Sequence, residues 1–203
     1  VVTSSRSVVE VARALETTGM KVRIRGYGNA GGENLGAAVV EFRTEPVLGV
    51  LRLIQIAQDR LVIEGTVDGL SPGLHAVHIH EYGDLRDNGA NIGGHYNPDR
   101  TPHGSPSNAR EHRHLGDLGN MEVDASGRGI IRLEDRYLNV WNLIGRAVSI
   151  KERADSFDPT SPDGDAGASV AIALVARSSG LFENNKTLCL CSGKTLWEEE
   201  QLK

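Results

Sequence analysis

The sequence predicts an all-β fold, an antiparallel sandwich or Greek-key barrel, on three observations. Eight short apolar runs recur with turn residues between them. Twenty-four glycines and seven prolines against 4% aromatic residues favour short strands and tight turns over a helical bundle. A length of 203 residues with 39% apolar content suits one main core with small appendages, and is too little for two full domains.

The elements follow in order. Ser7 and Glu10 form a capping-box pattern, Val8, Val11, Ala12 and Leu15 recur at helical spacing, and Gly19 fits the position just past a helix end. Val22 and Ile24 then alternate with Lys21, Arg23 and Arg25 as in a half-exposed strand. One helix and one strand cannot bury a core, so residues 1–27 read as the end of a truncated α/β domain. The glycine-rich residues 28–34 read as a linker. Strands are expected over 35–42, 47–56, 61–67, 74–80, 115–123, 129–133, 143–150 and 170–176. Two polar connections, 81–114 and 151–169, are too long for turns, and loops of that length in a compact domain are normally functional. Residues 183–203 show neither strand nor helix period and read as an irregular tail.

The net charge of −5 and the lack of a basic stripe argue against nucleic acid as a partner. No apolar run approaches the roughly 20 residues that span a bilayer, and Val1 to Arg6 lack a signal-peptide layout. The chain therefore reads as cytoplasmic, without a membrane span. Its two cysteines, Cys189 and Cys191, are one residue apart, so they cannot staple the fold, and they suit metal binding or thiol chemistry in a reducing compartment.

All seven histidines fall between positions 75 and 114. On the strand Leu74–His80, alternation puts His78 and His80 on one face and His75 on the other, where it reads as an ordinary structural residue. The long loop adds His95, His103, His112 and His114, followed by Asp117. Neutral imidazoles with one carboxylate suit four-coordinate zinc, and a bound ion would offset the entropy of ordering the loop.

The stretches Gly73–Asp84, Gly94-His95-Tyr96-Asn97-Pro98 and Leu115-Gly116-Asp117-Leu118-Gly119-Asn120 closely resemble the Cu,Zn superoxide dismutase family over about residues 35–182. The resemblance implies an eight-stranded Greek-key sandwich or barrel with zinc ligands His95, His103, His114 and Asp117. The segment between His103 and the His-x-x-Asp ending is two residues longer than the family pattern. The Leu-Gly-Asp-Leu-Gly-Asn anchor favours His114, with His112 as the alternative. Of the family's four copper histidines, His78, His80 and His95 have matches, and the fourth position is Lys151. An ammonium has no lone pair to give and repels a cation. Ser169 stands where the enzymes place a guiding guanidinium, and Gly89 and Ile172 stand where they place a structural disulfide.

Arg177–Asn184, the Cys189-Leu190-Cys191 pair and Gly193–Glu199 resemble the family of copper chaperones for superoxide dismutase. Residues 17–28 are similar to the end of that family's N-terminal heavy-metal-associated (ferredoxin-like) domain, whose Met-x-Cys-x-x-Cys site is not in this chain. The resemblance implies docking on a newly made Cu,Zn superoxide dismutase as a heterodimer, with Tyr82, Gly83, Ile144, Gly145 and Arg146 as the contact surface. Soft thiolates select Cu(I), so Cys189 and Cys191 would carry it transiently and exchange disulfides with the client. A homodimer is the possible state of the chain alone. Two alternatives stand beside this reading: an active Cu,Zn superoxide dismutase, and a zinc-stabilised interaction module without copper chemistry.

Overall fold

The computed structural model describes residues 8–19 and 33–179. Helix α1, Val8–Glu16, is present where the apolar spacing places it, and Gly19 after it has φ +82°. The strand expected over 22–25, most of the linker and the Cys189/Cys191 tail lie outside the described residues.

Among the described residues eight strands form one closed antiparallel barrel: β1 Ala37–Thr44, β2 Val47–Ala57, β3 Arg60–Asp68, β4 Gly73–Ile79, β5 Asp117–Val123, β6 Gly129–Asp135, β7 Ala147–Lys151 and β8 Ser169–Ser178. Their order around the barrel is β1-β2-β3-β6-β5-β4-β7-β8. The chain therefore crosses the barrel between β3 and β4 and again between β6 and β7, as a Greek key requires. The all-β expectation holds, and closure removes the open edges at which a sandwich could pair with another chain.

Alternation sets the two surfaces of each strand. Val77 and Ile79 of β4, Val148 and Ile150 of β7, and Ala171, Ala173 and Val175 of β8 point into a core shared with Leu51, Leu53, Leu61 and Ile63. His78 of β4, His80 just after it and Ser149 of β7 therefore lie on the outside of the barrel, yet all three are buried. The long connections after β4 and β7 cover them.

Three strand starts differ from the sequence expectation by two residues or more, the first being β1, which begins at Ala37 and not at Leu35. β5 begins at Asp117 because Leu115 and Gly116 belong to the loop: the Gly116 N–H bonds the Tyr96 carbonyl (2.8 Å), and the Gly116 carbonyl accepts from Ile79 (2.9 Å). β7 begins at Ala147 because Val140–Leu143 form a short helix, α2, capped by the Asn139 side chain, which accepts from the Trp141 N–H. Apolar residues fit both a buried helical turn and a strand, so periodicity could not separate the two there.

Candidate metal centre

The buried pair Arg113–Asp135 fixes the base of the site. Arg113 is fully buried, its guanidinium pairs with Asp135 and also donates to the Asp117 carbonyl (3.1 Å). Asp135 is satisfied further by the backbone N–H groups of Tyr137 (2.7 Å) and Leu138 (2.8 Å). These bonds fill the capacity of Asp135, as a buried charge needs, while Arg113 Nε is buried without a partner. The result is a rigid first residue of β5, from which the Asp117 carboxylate projects beneath the loop.

Three imidazoles converge on that carboxylate. His95 Nδ1 is 2.8 Å from Asp117 Oδ1, His103 Nδ1 is 3.1 Å from Oδ2, and His114 Nδ1 is 3.4 Å from Oδ1. His114 Nδ1 and His95 Nδ1 are 3.5 Å apart. All four side chains are buried, and their ligand atoms lie within 4.8 Å of one another. Tetrahedral zinc with bonds of about 2.0–2.1 Å needs ligand atoms about 3.4 Å apart. The group fits that requirement. The His114 and Gly104 N–H groups also donate to Asp117 Oδ2 (2.9 and 3.1 Å), so backbone holds the carboxylate in place. His112, the alternative ligand, is exposed on the 3-10 turn Arg110–His112 and is not part of the group.

Asp155, in the loop after β7, has no counterpart in the sequence expectations. Its Oδ2 accepts from His78 Nε2 (2.8 Å) and its Oδ1 from His103 Nε2 (2.7 Å), so one buried carboxylate spans the two histidine groups. An outer carboxylate of this kind fixes the tautomer and orientation of a ligating imidazole. The Phe157 N–H and the Asn120 side chain, which accepts from the Asp155 N–H, hold it there. Gly164 (φ +62°) permits the approach, because a Cβ on it would run into both Asp155 Oδ1 and His103 Nε2. The clue in sequence was an acidic residue opening the second long loop, but no spacing tied it to the histidines.

The copper-like half is arranged differently. His78 stacks on His95 with ring centroids 3.8 Å apart, and His80 meets His95 edge-on at 5.5 Å. His78 Nδ1 and His95 Nε2 are buried without hydrogen-bond partners. His78 and His80 share a face as expected, and each ring is held by its own partners. His78 is bonded to Asp155, whereas His80 is held between the Gly93 carbonyl (2.9 Å) and Ser149 Oγ (2.8 Å). Lys151 Nζ donates to Ser169 Oγ (3.1 Å), which joins the two residues that depart from the dismutase pattern. His75 Nδ1 lies 2.7 Å from the Lys151 carbonyl, and Nε2 lies beside Ser71, 3.2 Å from its hydroxyl and 2.8 Å from its carbonyl, a structural role on the other side of the strand.

The electrostatics separate these groups. Burial pushes His95 down to about 4 and His80 to about 3, and lowers His78 as well, so these rings are neutral at pH 7. His103 is also pulled down by burial, but its bonds to Asp117 and Asp155 outweigh that and raise it to about 9. Burial would raise Asp117 and Asp155, yet the imidazoles hold both below the ordinary carboxylate range. Lys151 is lowered by burial.

The residues expected at a docking surface lie together at one end of β4 and β7. Tyr82 is exposed, and a Cβ on Gly83 would meet the Gly145 carbonyl and Leu174 Cδ1, so the two loops are pressed together. The Ala147 N–H bonds the Tyr82 carbonyl (3.0 Å). Arg146 points inward: its guanidinium lies 3.8 Å over the Tyr96 ring and donates to the carbonyls of Asn142 (2.6 Å) and Glu81 (2.5 Å). It braces the surface formed by Tyr82, Gly83, Ile144 and Gly145.

No helix among the described residues is long and apolar enough to cross a membrane. Residues 47–175 match the Copper/zinc superoxide dismutase (SODC) family. The chain is 46% identical over 196 residues to the copper chaperone for superoxide dismutase of Homo sapiens, a match covering 94% of this chain and 71% of that one. With the corresponding protein of Rattus norvegicus the identity is 44% at the same coverage. Among solved structures, the crystal structure of the clock protein EA4 superposes with a TM-score of 0.66 at 30% identity, covering 76% of this chain and 99% of that one. With a closed dismutase-type barrel and a match to the chaperones over 94% of its length, the chain belongs to the family of copper chaperones for superoxide dismutase.

Proposed function

We propose that this protein matures a Cu,Zn superoxide dismutase in the cytoplasm: it docks on the immature enzyme as a heterodimer, delivers Cu(I) and promotes formation of the client's disulfide. The observation that carries the reading is the extent of the similarity, 94% of the chain, which runs well beyond the dismutase-like residues 47–175. Zinc belongs at His95, His103, His114 and Asp117. Held there, it keeps the long loop ordered and supplies fold stability, because these ligands are the covering of the barrel wall.

Docking uses Tyr82, Gly83, Ile144 and Gly145, with Arg146 behind them. This surface is also the one through which the chain would pair with a second copy of itself. Cys189 and Cys191 carry the cargo ion, since two neighbouring thiolates suit Cu(I). Once the ion has left, a two-electron oxidant such as dioxygen converts the dithiol to a disulfide, which a client thiolate attacks to give a mixed disulfide. A second client thiolate then displaces the tail, leaving the client oxidised and the tail a dithiol.

A dismutase activity of the chain itself is disfavoured by Lys151, which cannot ligate copper as an ammonium. The test is to mix the protein, loaded with Cu(I), with a zinc-loaded, disulfide-reduced, copper-free dismutase and follow superoxide consumption. Activity should appear only in the mixture. Enzyme-like activity of this protein alone would replace the chaperone reading with the dismutase one.

A further inference from the structure

We propose that Ser149 closes the copper-like corner of the barrel by occupying the one nitrogen of His80 that could face a metal, so that β7 selects a single zinc and refuses a second ion. Three features converge on this assignment. First, β7 presents Ser149 and Lys151 on the outer face, beside β4, since Val148 and Ile150 fill the core. Ser149 is opposite His78 in the β4–β7 register, one step from His80.

Second, the hydrogen bonds fix the state of the His80 ring. The Gly93 carbonyl can only accept, so His80 Nδ1, 2.9 Å away, carries the proton. The lone pair of the neutral ring is therefore on Nε2, and the Ser149 hydroxyl, 2.8 Å away, donates to it. Both side chains are buried, Ser149 completely. A metal ligated by Nε2 would strand that hydroxyl in a dry site, where an unsatisfied donor is costly.

Third, the next residue on the same face adds a charge of the wrong sign. Lys151 is partly buried, and its Nζ is anchored on Ser169 Oγ at 3.1 Å. What remains of the corner is the buried, unpartnered pair His78 Nδ1 and His95 Nε2, two nitrogens without a third. At the other corner the Nδ1 atoms of His95, His103 and His114 face an anionic carboxylate with no hydroxyl between them. The two corners share His95 but differ in what β7 places against them.

The inference rests on reading the Asp117 group as the zinc site, and the test keeps the two apart. The full chain with Cys189→Ser and Cys191→Ser, which silences the tail, is loaded with zinc and titrated with Cu(II). The same is done after adding Ser149→Ala, Lys151→His, or both, and retained zinc, retained copper and the Cu(II) electron paramagnetic resonance spectrum are measured. The parent should hold one zinc and no copper. Lys151→His should bind copper weakly, and adding Ser149→Ala should tighten it by roughly three- to tenfold, the size of one net hydrogen bond, with nitrogen hyperfine structure from His80. Equal affinity of Lys151→His with and without Ser149→Ala would overturn the role of Ser149, as would copper bound through His80 in the parent. Loss of zinc from every variant would instead refute the zinc assignment. Independently of any variant, two-bond nitrogen–proton correlation spectra of the unaltered protein should report His80 as the Nδ1–H tautomer. An Nε2–H tautomer would overturn the proposal.

Discussion

Gly89 and Ile172 are in contact, and a Cβ on Gly89 would run into Ile172 Cδ1. By the resemblance these are the positions where the dismutases place a disulfide, and here apolar packing joins the loop after β4 to strand β8. Gly89 also has φ +79°, which strains any other residue. The barrel should therefore melt at the same temperature with and without a thiol reductant. Gly89→Ala should cost about 1–3 kcal/mol through overpacking and backbone strain, read from urea unfolding.

Asp117→Ala should abolish zinc binding and lower the melting temperature. The carboxylate is the only anion among the four candidate ligands, and it also accepts the N–H groups of His114 and Gly104. Its removal loosens the loop even before metal is counted. The measurement is zinc per chain by atomic spectroscopy beside calorimetry, and unchanged zinc content would remove Asp117 from the ligand set.

Zinc loading should release a proton near pH 7.5. In the metal-free protein the carboxylates of Asp117 and Asp155 hold His103 protonated up to about pH 9, and zinc must replace that proton at Nδ1. Calorimetric titration in buffers of different ionisation enthalpy reads the number released. For folding without metal the signs differ between rings. The raised His103 stabilises fully below its unfolded value of about 6.5, and that gain is lost as pH rises through about 9. The lowered His95 and His80 stabilise above about 6.5 and lose that contribution as pH falls towards about 4 and about 3. The metal-free barrel should thus weaken on both sides of neutrality, which unfolding midpoints at pH 5, 7 and 9.5 will register.

Much of this site was legible in the chain, for identifiable reasons. Strand alternation placed His78 and His80 on one face, and the crowding of histidines in a glycine-rich loop pointed to His95, His103 and His114. The rest depended on tertiary contacts. Asp155 meets His78 and His103 from a different loop, 77 and 52 residues away in sequence, and an aspartate in a polar loop carries no local mark of such a role. Ser149 reads as an interruption of an apolar strand until His80 is seen beside it. The ends of β5 and β7 were misplaced because Leu115 and Leu143 are buried by a loop and a helical turn, not by strand pairing.

Tyr82→Ala should weaken docking on the client while leaving the fold intact. The ring is 60% exposed, so little core packing is lost, and interfacial tyrosines are frequent anchors. We expect an affinity loss of about tenfold or more, measured by titrating the copper-free dismutase, with an unchanged melting temperature. Arg146→Ala should act on both quantities, because its guanidinium braces Tyr96, Asn142 and Glu81. Unaltered affinity of Tyr82→Ala would move the docking surface elsewhere.

Replacing Cys189 and Cys191 together by serine should abolish client activation and leave zinc content, melting temperature and docking unchanged. They are the only cysteines of the chain, and both fall after β8, beyond the barrel strands. On the proposal above, the histidine corner is closed by Ser149 and Lys151, so the soft thiolates are the remaining site suited to Cu(I). Serine keeps size and polarity but neither binds Cu(I) as a soft ligand nor exchanges disulfides. The docking measurement is the internal control, since a variant that binds the client but does not activate it separates transfer from recognition. Activation at the normal rate by the double-serine protein would show that the tail is not the transfer element, and would return the search for the cargo site to the barrel.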